Sequence, residues 1–568
     1  MENRKNFSLM LKIFFSCWLV LIGFSALAQD QWEEAAGDLN DARLLIEKEN
    51  VLELPTKAKP LQKIQKIERE KQAAPQQYAI DPLLLSLPAI NPDLDAAQLR
   101  KNPDAGVPPS NAYIKAGFGN YLTTFLEGHY YAGEEGIFEY GGNIKHLASS
   151  RGPVDGKNSA NSNNEIGLFG KYFLSEGIVK GNIGFQRDVV HFYGYDTIPL
   201  DAQFDVDNIK QVYNIFDVGI SFMNDDPLAD VHYETGFDFY TLGDNYNASE
   251  VNFDLFAKGN YEINEDSRIE AGLNLIFNTK NDSLKANRNL FLLNGAYHYQ
   301  YDQFSLKAGV RLAYNGDTTF ADNRFRIYPD LHVKYGIVEN RVAVYGRVSG
   351  NLEQVTLRSL SRDNPFLGAD IPLAHTDRQI EFAGGLETAP NNKLGLKVEG
   401  GYSRVKNLFY FLNSESDQAK FDVFYEGSSE GILNLKLEAS ADIGPVKAVL
   451  QTNFYDYGVD SLETPFHRPS LTNTLAVAFD INQKLYLNLD VFHLAGLEGR
   501  EPVTGSIVEL NDIVDLNLKA DYIINENFSA FLALNNILSN NYQRYLYYDN
   551  LGINVLVGAT YRLGDFRF

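Results

Sequence analysis

The chain closes on "LGINVLVGATYRLGDFRF", Leu551 to Phe568. Sorted by parity, Leu551, Ile553, Val555, Val557, Ala559, Tyr561 and Leu563 fall on one side. Gly552, Asn554, Gly558, Thr560 and Arg562 fall on the other, and only Leu556 breaks the rule. Successive side chains of a strand point to opposite faces, so the stretch predicts a strand with one apolar and one wet face. A soluble sandwich and a membrane barrel both use such strands. The choice between them rests on how often the pattern recurs and on what connects its copies.

It recurs from Asn111 onward. In "SRIEAGLNLIFN" Ile269, Ala271, Leu273, Leu275 and Phe277 alternate with Glu270, Gly272 and Asn274. In "FSLKAGVRLAY" Phe304 to Tyr314 alternate with Lys307, Gly309 and Arg311. "LGLKVEGGY", "ILNLKLEAS" and "VDLNLKADY" do the same, with Lys397 and Glu399, Lys436 and Glu438, and Lys519 and Asp521 on their wet faces. Short connections such as "SEG" at 175–177, "YD" at 301–302 and "IG" at 443–444 alternate with longer polar ones such as 149–163, 241–249, 351–375 and 405–429. The count comes to about 22 strands. Short turns at one end and long loops at the other are the pattern of an outer-membrane barrel, and a soluble sandwich has no reason to sort its loops in this way. The wet face carries charges strand after strand, while the apolar face carries almost none, as lipid demands. The fold predicted is therefore all-β: a transmembrane antiparallel up-and-down β-barrel over 111–568, its closure removing every sticky edge.

Composition agrees. There are 33 Tyr and 37 Phe to build interface girdles, and no Trp after Trp32. With 74 acidic against 50 basic residues the net charge is −24, the wrong sign for nucleic acid. After residue 28 no apolar run is long enough for a helical span.

The start reads differently. Arg4, Lys5 and Lys12 precede an apolar run, Ile13 to Phe24, and then "ALA" at 26–28: the layout of a secretory signal peptide cleaved after Ala28. The only cysteine, Cys17, lies inside it, so an exported mature chain would hold no disulfide. Residues 29–110 are Pro-broken, with nine of the 20 prolines between Pro55 and Pro109. They predict an extended periplasmic arm. The expected location is the bacterial outer membrane.

The stretch 528–563, "FSAFLALNNILSNNYQRYLYYDNLGINVLVGATYRL", resembles the last hairpin of TonB-dependent receptors: a strand ending in an Asn-Ile-Leu turn, an aromatic-rich loop, then an alternating final strand. That resemblance implies a 22-stranded barrel and passage or uptake of a solute. It also implies a globular plug in the lumen, for which the 82 residues of 29–110 are short and lack alternating strands. "ENVLELP" at 49–55 is the single candidate for a TonB box. Either the arm, or the long loops 351–375 and 405–429, or a partner protein must then fill the barrel. A final aromatic after an alternating strand resembles the C-terminal assembly signal of outer-membrane proteins, carried here by Tyr561 and Phe568 and read by the insertion machinery.

Chemistry-bearing motifs are few. "GSSEG" at 427–431 has the spacing of a nucleophile elbow around Ser429, but not the strand–turn–helix context. "GFG" at 117–119 reads as a hairpin turn. The histidines lack metal-ligand spacing; His232, Glu234 and Asp238 share a wet face, and acidic "DVDN" at 205–208 reads as a solvated loop. An enzyme is not expected, nor a cofactor. The candidate lumen-lining residues are Glu270, Arg347, Lys397, Glu399, Lys436, Glu438, Lys519 and Asp521, where they would set selectivity. Expected partners are outer-membrane lipid and LPS, the insertion machinery, and a periplasmic partner for the arm. The competing function is a plugless scaffold whose arm docks that partner.

Overall fold

The computed structural model describes residues 112–563, apart from 135, 155, 196–207, 225–228, 284, 318–323, 339–340 and 392. The signal segment 1–28, the arm 29–110 and Phe568 lie outside the described residues.

Twenty-two antiparallel strands form one ring. The first, Ala112–Gly119, pairs with the second, Thr123–Glu134, and also with the last, Asn554–Leu563. The sheet therefore closes on itself and leaves no edge. A three-residue strand, Lys285–Asn287, is an extra that pairs only with Ser267–Asn281. At one end the chain turns tightly, as at 175–176, 265–266 and 302–303; at the other, among the described residues, it runs through 354–375, 407–428, 459–470, 496–512 and 536–553. The first strand starts, and the last strand ends, at the end with the tight turns.

Parity settles which side is which. On the last strand Val557 and Tyr561 are exposed, whereas Asn554, Leu556 and Thr560 are buried. The same split puts Ile269, Leu273 and Phe277 outside, and Leu331, Val333 and Tyr335 with them. So many exposed apolar side chains on one closed surface would aggregate in water and suit hydrocarbon. Aromatics collect at both ends of the outer wall. Near the tight turns, Tyr130 packs on Tyr140, Phe222 on Tyr233 and Phe528 on Tyr561. Toward the loops, Phe277, Phe291, Tyr314 and Phe325 form a ladder across four strands, with centroid spacings of 5.5, 5.6 and 5.0 Å.

Leu556, the exception to the parity rule, packs inside the barrel with Phe125, Leu147, Phe531 and Ala533. "GFG" is not a turn. Gly117 and Gly119 end the first strand, and the hairpin follows at Asn120–Leu122, where Tyr121 (φ 57) and Leu122 (φ 53) take the left-handed conformation. Gly117 is small because a Cβ there would meet the Phe531 ring at 2.8 Å. The connection expected at 241–249 shrinks to 245–248, because the Asp244 carboxylate accepts the backbone N–H groups of Tyr246 and Ala248 and closes the turn early.

Candidate functional site

The long loops do not stand clear of the barrel. They turn inward over its mouth and pack on luminal side chains at the strand ends. Val355, Leu357, Leu360, Leu367, Ile371 and Leu373 of the 354–375 loop share one cluster with Tyr213, Ile215 and Leu242 of the wall. Phe411, Phe421 and Val423 of the 407–428 loop, and Tyr545 and Tyr548 of the 536–553 loop, complete it. Tyr213 and Ile215 sit on the face opposite exposed Phe216 and Ile220, so this apolar mass lies within the ring.

Local sequence explains each piece. Thr356 and Ser359 form a capping box that starts the helix Leu357–Asp363: the Thr356 side chain accepts from the Ser359 N–H at 3.0 Å, and the Ser359 hydroxyl accepts from the Thr356 N–H at 2.9 Å. The wall residue Glu250 takes the next free donor, Leu357 N–H at 2.7 Å, and also the Tyr240 hydroxyl at 2.6 Å. In the 407–428 loop, Phe409–Asn413 and Phe421–Tyr425 pair as a small hairpin of their own.

Polar latches tie loop to wall and loop to loop. The Tyr213 hydroxyl donates to Pro365 O at 3.1 Å, Tyr545 to Asp363 O at 2.6 Å, Tyr193 to Asp549 O at 3.0 Å, and Tyr548 to Ala419 O. Phe366 stacks on Tyr548 with centroids 3.7 Å apart. Arg288, 1% exposed, pairs with Asp317 at 2.9 Å and donates to Val355 O at 2.6 Å. A buried cation needs this full satisfaction to persist.

Two histidines complete the closure. His467 takes the Leu546 N–H on Nε2 at 3.1 Å and gives Nδ1–H to Phe411 O at 2.9 Å, so it joins three loops as a neutral ring. Burial lowers its pKa to about 3, with Arg544 pushing the same way. His375 accepts the Val355 N–H and Arg288 on Nδ1, each at 3.2 Å. Burial and then the Arg288 charge also lower its pKa to about 3. Asp363 runs opposite: burial raises its carboxyl pKa, while Arg544 and Arg468 pull it down less strongly.

Beyond the loops the wall is a ladder of paired charges. Arg347 bonds Glu381 at 2.8 Å and Glu399 at 3.0 Å; the Tyr345 hydroxyl donates to Glu399 at 2.7 Å, and Lys397 lies 5.0 Å from the Tyr345 ring centroid. Thus Arg347, Lys397 and Glu399 come together. Glu270 meets His298 at 2.7 Å and Lys307 at 3.9 Å; Lys436 meets Glu438 at 3.7 Å. Lys519 and Asp521 are buried on a separate part of the wall, with Asp521 3.5 Å from Lys115. Tyr561 lies on the outer surface against Phe528 at 4.7 Å. Glu234, one of the wet-face trio, pairs with Lys258 at 2.9 Å, and Ser429 opens the strand Ser429–Ile443.

Sequence reasoning missed the loop latches Glu250, Arg288, His375, His467, Tyr545 and Tyr548. Their signal was present as aromatic density. The 407–428 loop carries Phe409, Tyr410, Phe411, Phe421, Phe424 and Tyr425, far more than a solvated loop tolerates. Ladder members Lys115, Asp330 and Glu381 were missed, and Lys307 was placed on a wet face without its partners, because pairing depends on strand neighbours distant in sequence.

No protein-family model and no curated protein matches the chain. Solved structures do. The chain is similar to the FrpB iron transporter of Neisseria meningitidis, with a TM-score of 0.62 and 9% identity over 80% of this chain and 82% of that one. It is also similar to the ferric-catecholate import receptor Fiu of E. coli K12, with a TM-score of 0.60, 9% identity and coverage of 80% and 82%. A third is the pyoverdine outer membrane receptor FpvA of Pseudomonas aeruginosa, with a TM-score of 0.60, 10% identity and coverage of 80% and 78%. At such identities the likeness is one of fold, and it is the barrel that the resemblance of the last hairpin to TonB-dependent receptors implies.

Proposed function

We propose that the chain is an outer-membrane barrel of receptor type that takes up a solute, its mouth closed from within by its own loops. The observation that carries this reading is the single cluster in which loops from separate parts of the ring pack on luminal Tyr213, Ile215 and Leu242. A ring of 22 strands is wide enough to need a filling, and a closure held by hydrogen bonds and rings between loops can open without breaking the wall. The similar structures support it: one is an iron transporter, one an import receptor and one an outer membrane receptor bound to pyoverdine. On this reading the exposed apolar rows meet outer-membrane lipid and LPS, the last strand with Tyr561 and Phe568 is read by the insertion machinery, and cleavage near Ala28 frees the arm for a periplasmic partner. Glu270, Arg347, Lys397, Glu399, Lys436, Glu438, Lys519 and Asp521 shape what passes. The scaffold alternative gains no support from these contacts.

Planar-bilayer conductance of the purified chain tests the reading. The intact chain should be closed or nearly so, and deletion of the 409–425 hairpin should produce large openings. A barrel that stays sealed after that deletion overturns it.

A further inference from the structure

Under the 407–428 hairpin lies a small cavity at the junction of four loops, lined by Arg468, Arg544, Asp363, Tyr410, Tyr457 and His467 among others. Its two guanidinium groups are unusual. Arg468 donates through Nε and Nη2 to one carbonyl, Phe409 O, at 3.0 and 2.6 Å, and lies over the Phe409 and Tyr410 rings at 4.8 and 5.2 Å. Arg544 donates through Nη1 to His467 O at 2.7 Å and lies over Tyr545 at 4.9 Å. Its Nε is buried with no acceptor. Among the described residues neither has a carboxylate within 4.0 Å.

Each guanidinium offers five donors; Arg468 spends two on Phe409 O and one toward the Tyr457 hydroxyl, Arg544 spends one on His467 O, and both keep donors to spare. Asp363 lines the same cavity, but its side chain makes no hydrogen bond among the described residues, and burial holds it toward its neutral form. His467 is neutral. The two half-buried guanidinium groups outnumber the one carboxyl that lines the cavity, so its balance is positive. Guanidinium forks match planar or tetrahedral oxyanions bidentately. We propose that this cavity binds a small oxyanion, a phosphate or carboxylate group bridging Arg468 and Arg544, and that the anion locks the loops closed. The site does not depend on the uptake reading, since a sealed barrel would use it equally.

The test uses the full chain in detergent, digested with proteinase K at neutral pH in phosphate or in chloride of equal ionic strength. A ligand held only by the closed form suppresses opening by one plus the ratio of its concentration to Kd, so phosphate at ten times Kd should slow cleavage within 407–428 about elevenfold. Arg468→Gln and Arg544→Gln should each lose most of that protection. Lys447→Gln, at the far end of the wall and exposed, should keep it. A parallel arm replaces phosphate by purified LPS at equal phosphate content. Protection by LPS alone assigns the anion to the lipid headgroup, and protection by free phosphate assigns it to a soluble one. Equal cleavage in phosphate, LPS and chloride overturns the proposal, as does protection that survives both arginine substitutions. Resistance of the strands to heat in SDS confirms that each variant has folded.

Discussion

Gly558 sits at the seam where the ring closes, directly opposite Gly117. A Cβ at Gly558 would run into Ala116 O and the Phe531 ring. Phe531 in turn anchors the inner cluster with Leu556 and lies 4.5 Å below the Lys115 ammonium. Two small residues thus make room for one ring, and that ring supports a buried ion pair. Gly558→Val should cost about 1–3 kcal/mol by overpacking, read as a lower temperature for loss of the heat-resistant band. Lys115 and Asp521, 3.5 Å apart and both buried, allow a sharper test. Lys115→Ala alone strands the Asp521 carboxylate and should cost roughly 3–5 kcal/mol. Lys115→Ala with Asp521→Asn should recover a large part of that loss. If the double variant is no more stable than the single, the pair does not couple and the ion-pair account of this corner fails. At this scale the sequence was half legible. Parity assigned the faces correctly, yet Leu556 read as an error, because its partners Phe125 and Leu147 lie far away along the chain and only closure brings them near.

At the scale of elements, strands and loops differ in how plainly they show. A strand that crosses lipid must keep its alternation over its whole length, so residues such as 269–277 and 514–521 announce themselves. The connections at 120–122 and 245–248 were harder, since both are tight turns at the end where long loops were expected. The inward packing of the loops was legible only as one of three alternatives: 351–375 and 405–429 stood beside the arm and a partner protein as fillings of the barrel, and no single stretch of sequence chose among them. Because loop and wall are distinct units of stability, they should respond separately to mutation. Thr356→Ala removes the helix cap and should loosen 354–375 by about 1 kcal/mol. Hydrogen exchange should speed up across 355–364 while the strand 376–391 stays protected. Tyr548→Phe removes one latch, the bond to Ala419 O, and should raise proteolysis of the 407–428 loop without shifting the melting of the ring. A uniform loss of protection in either variant would show that loops and wall unfold as one.

For the whole molecule, the closure carries a built-in dependence on pH whose sign follows from its two histidines. Packed loops hold His467 and His375 neutral down to about pH 3. Released loops would let both titrate near 6.5, the ordinary value for the ring. Between these limits the open form binds more protons, so acid favours opening. Geometry gives the same answer. A proton on His467 Nε2 breaks its bond from Leu546 N–H, and a proton on His375 Nδ1 sets a charge against Arg288. One pH unit below 6.5, each ring costs the closed form about 1.4 kcal/mol. Asp363 opposes this in part, because burial makes its neutral form the favoured one in the closed loops, and acidification relieves that burden. The expected sign follows the two rings, whose protonation disrupts bonds between loops, whereas the Asp363 side chain makes no hydrogen bond among the described residues. Conductance of the intact chain should therefore rise as pH falls from 7 toward 5, while the double variant His467→Gln with His375→Gln should lose most of that dependence. Gln at 467 retains a donor and an acceptor for Phe411 O and Leu546 N–H, so a flat profile in the variant would reflect lost titration and not lost contact. A profile equally steep in the variant would move the pH response out of the loops and into the carboxylates of the charged wall, where Asp330, Glu381 and Glu399 each hold an arginine.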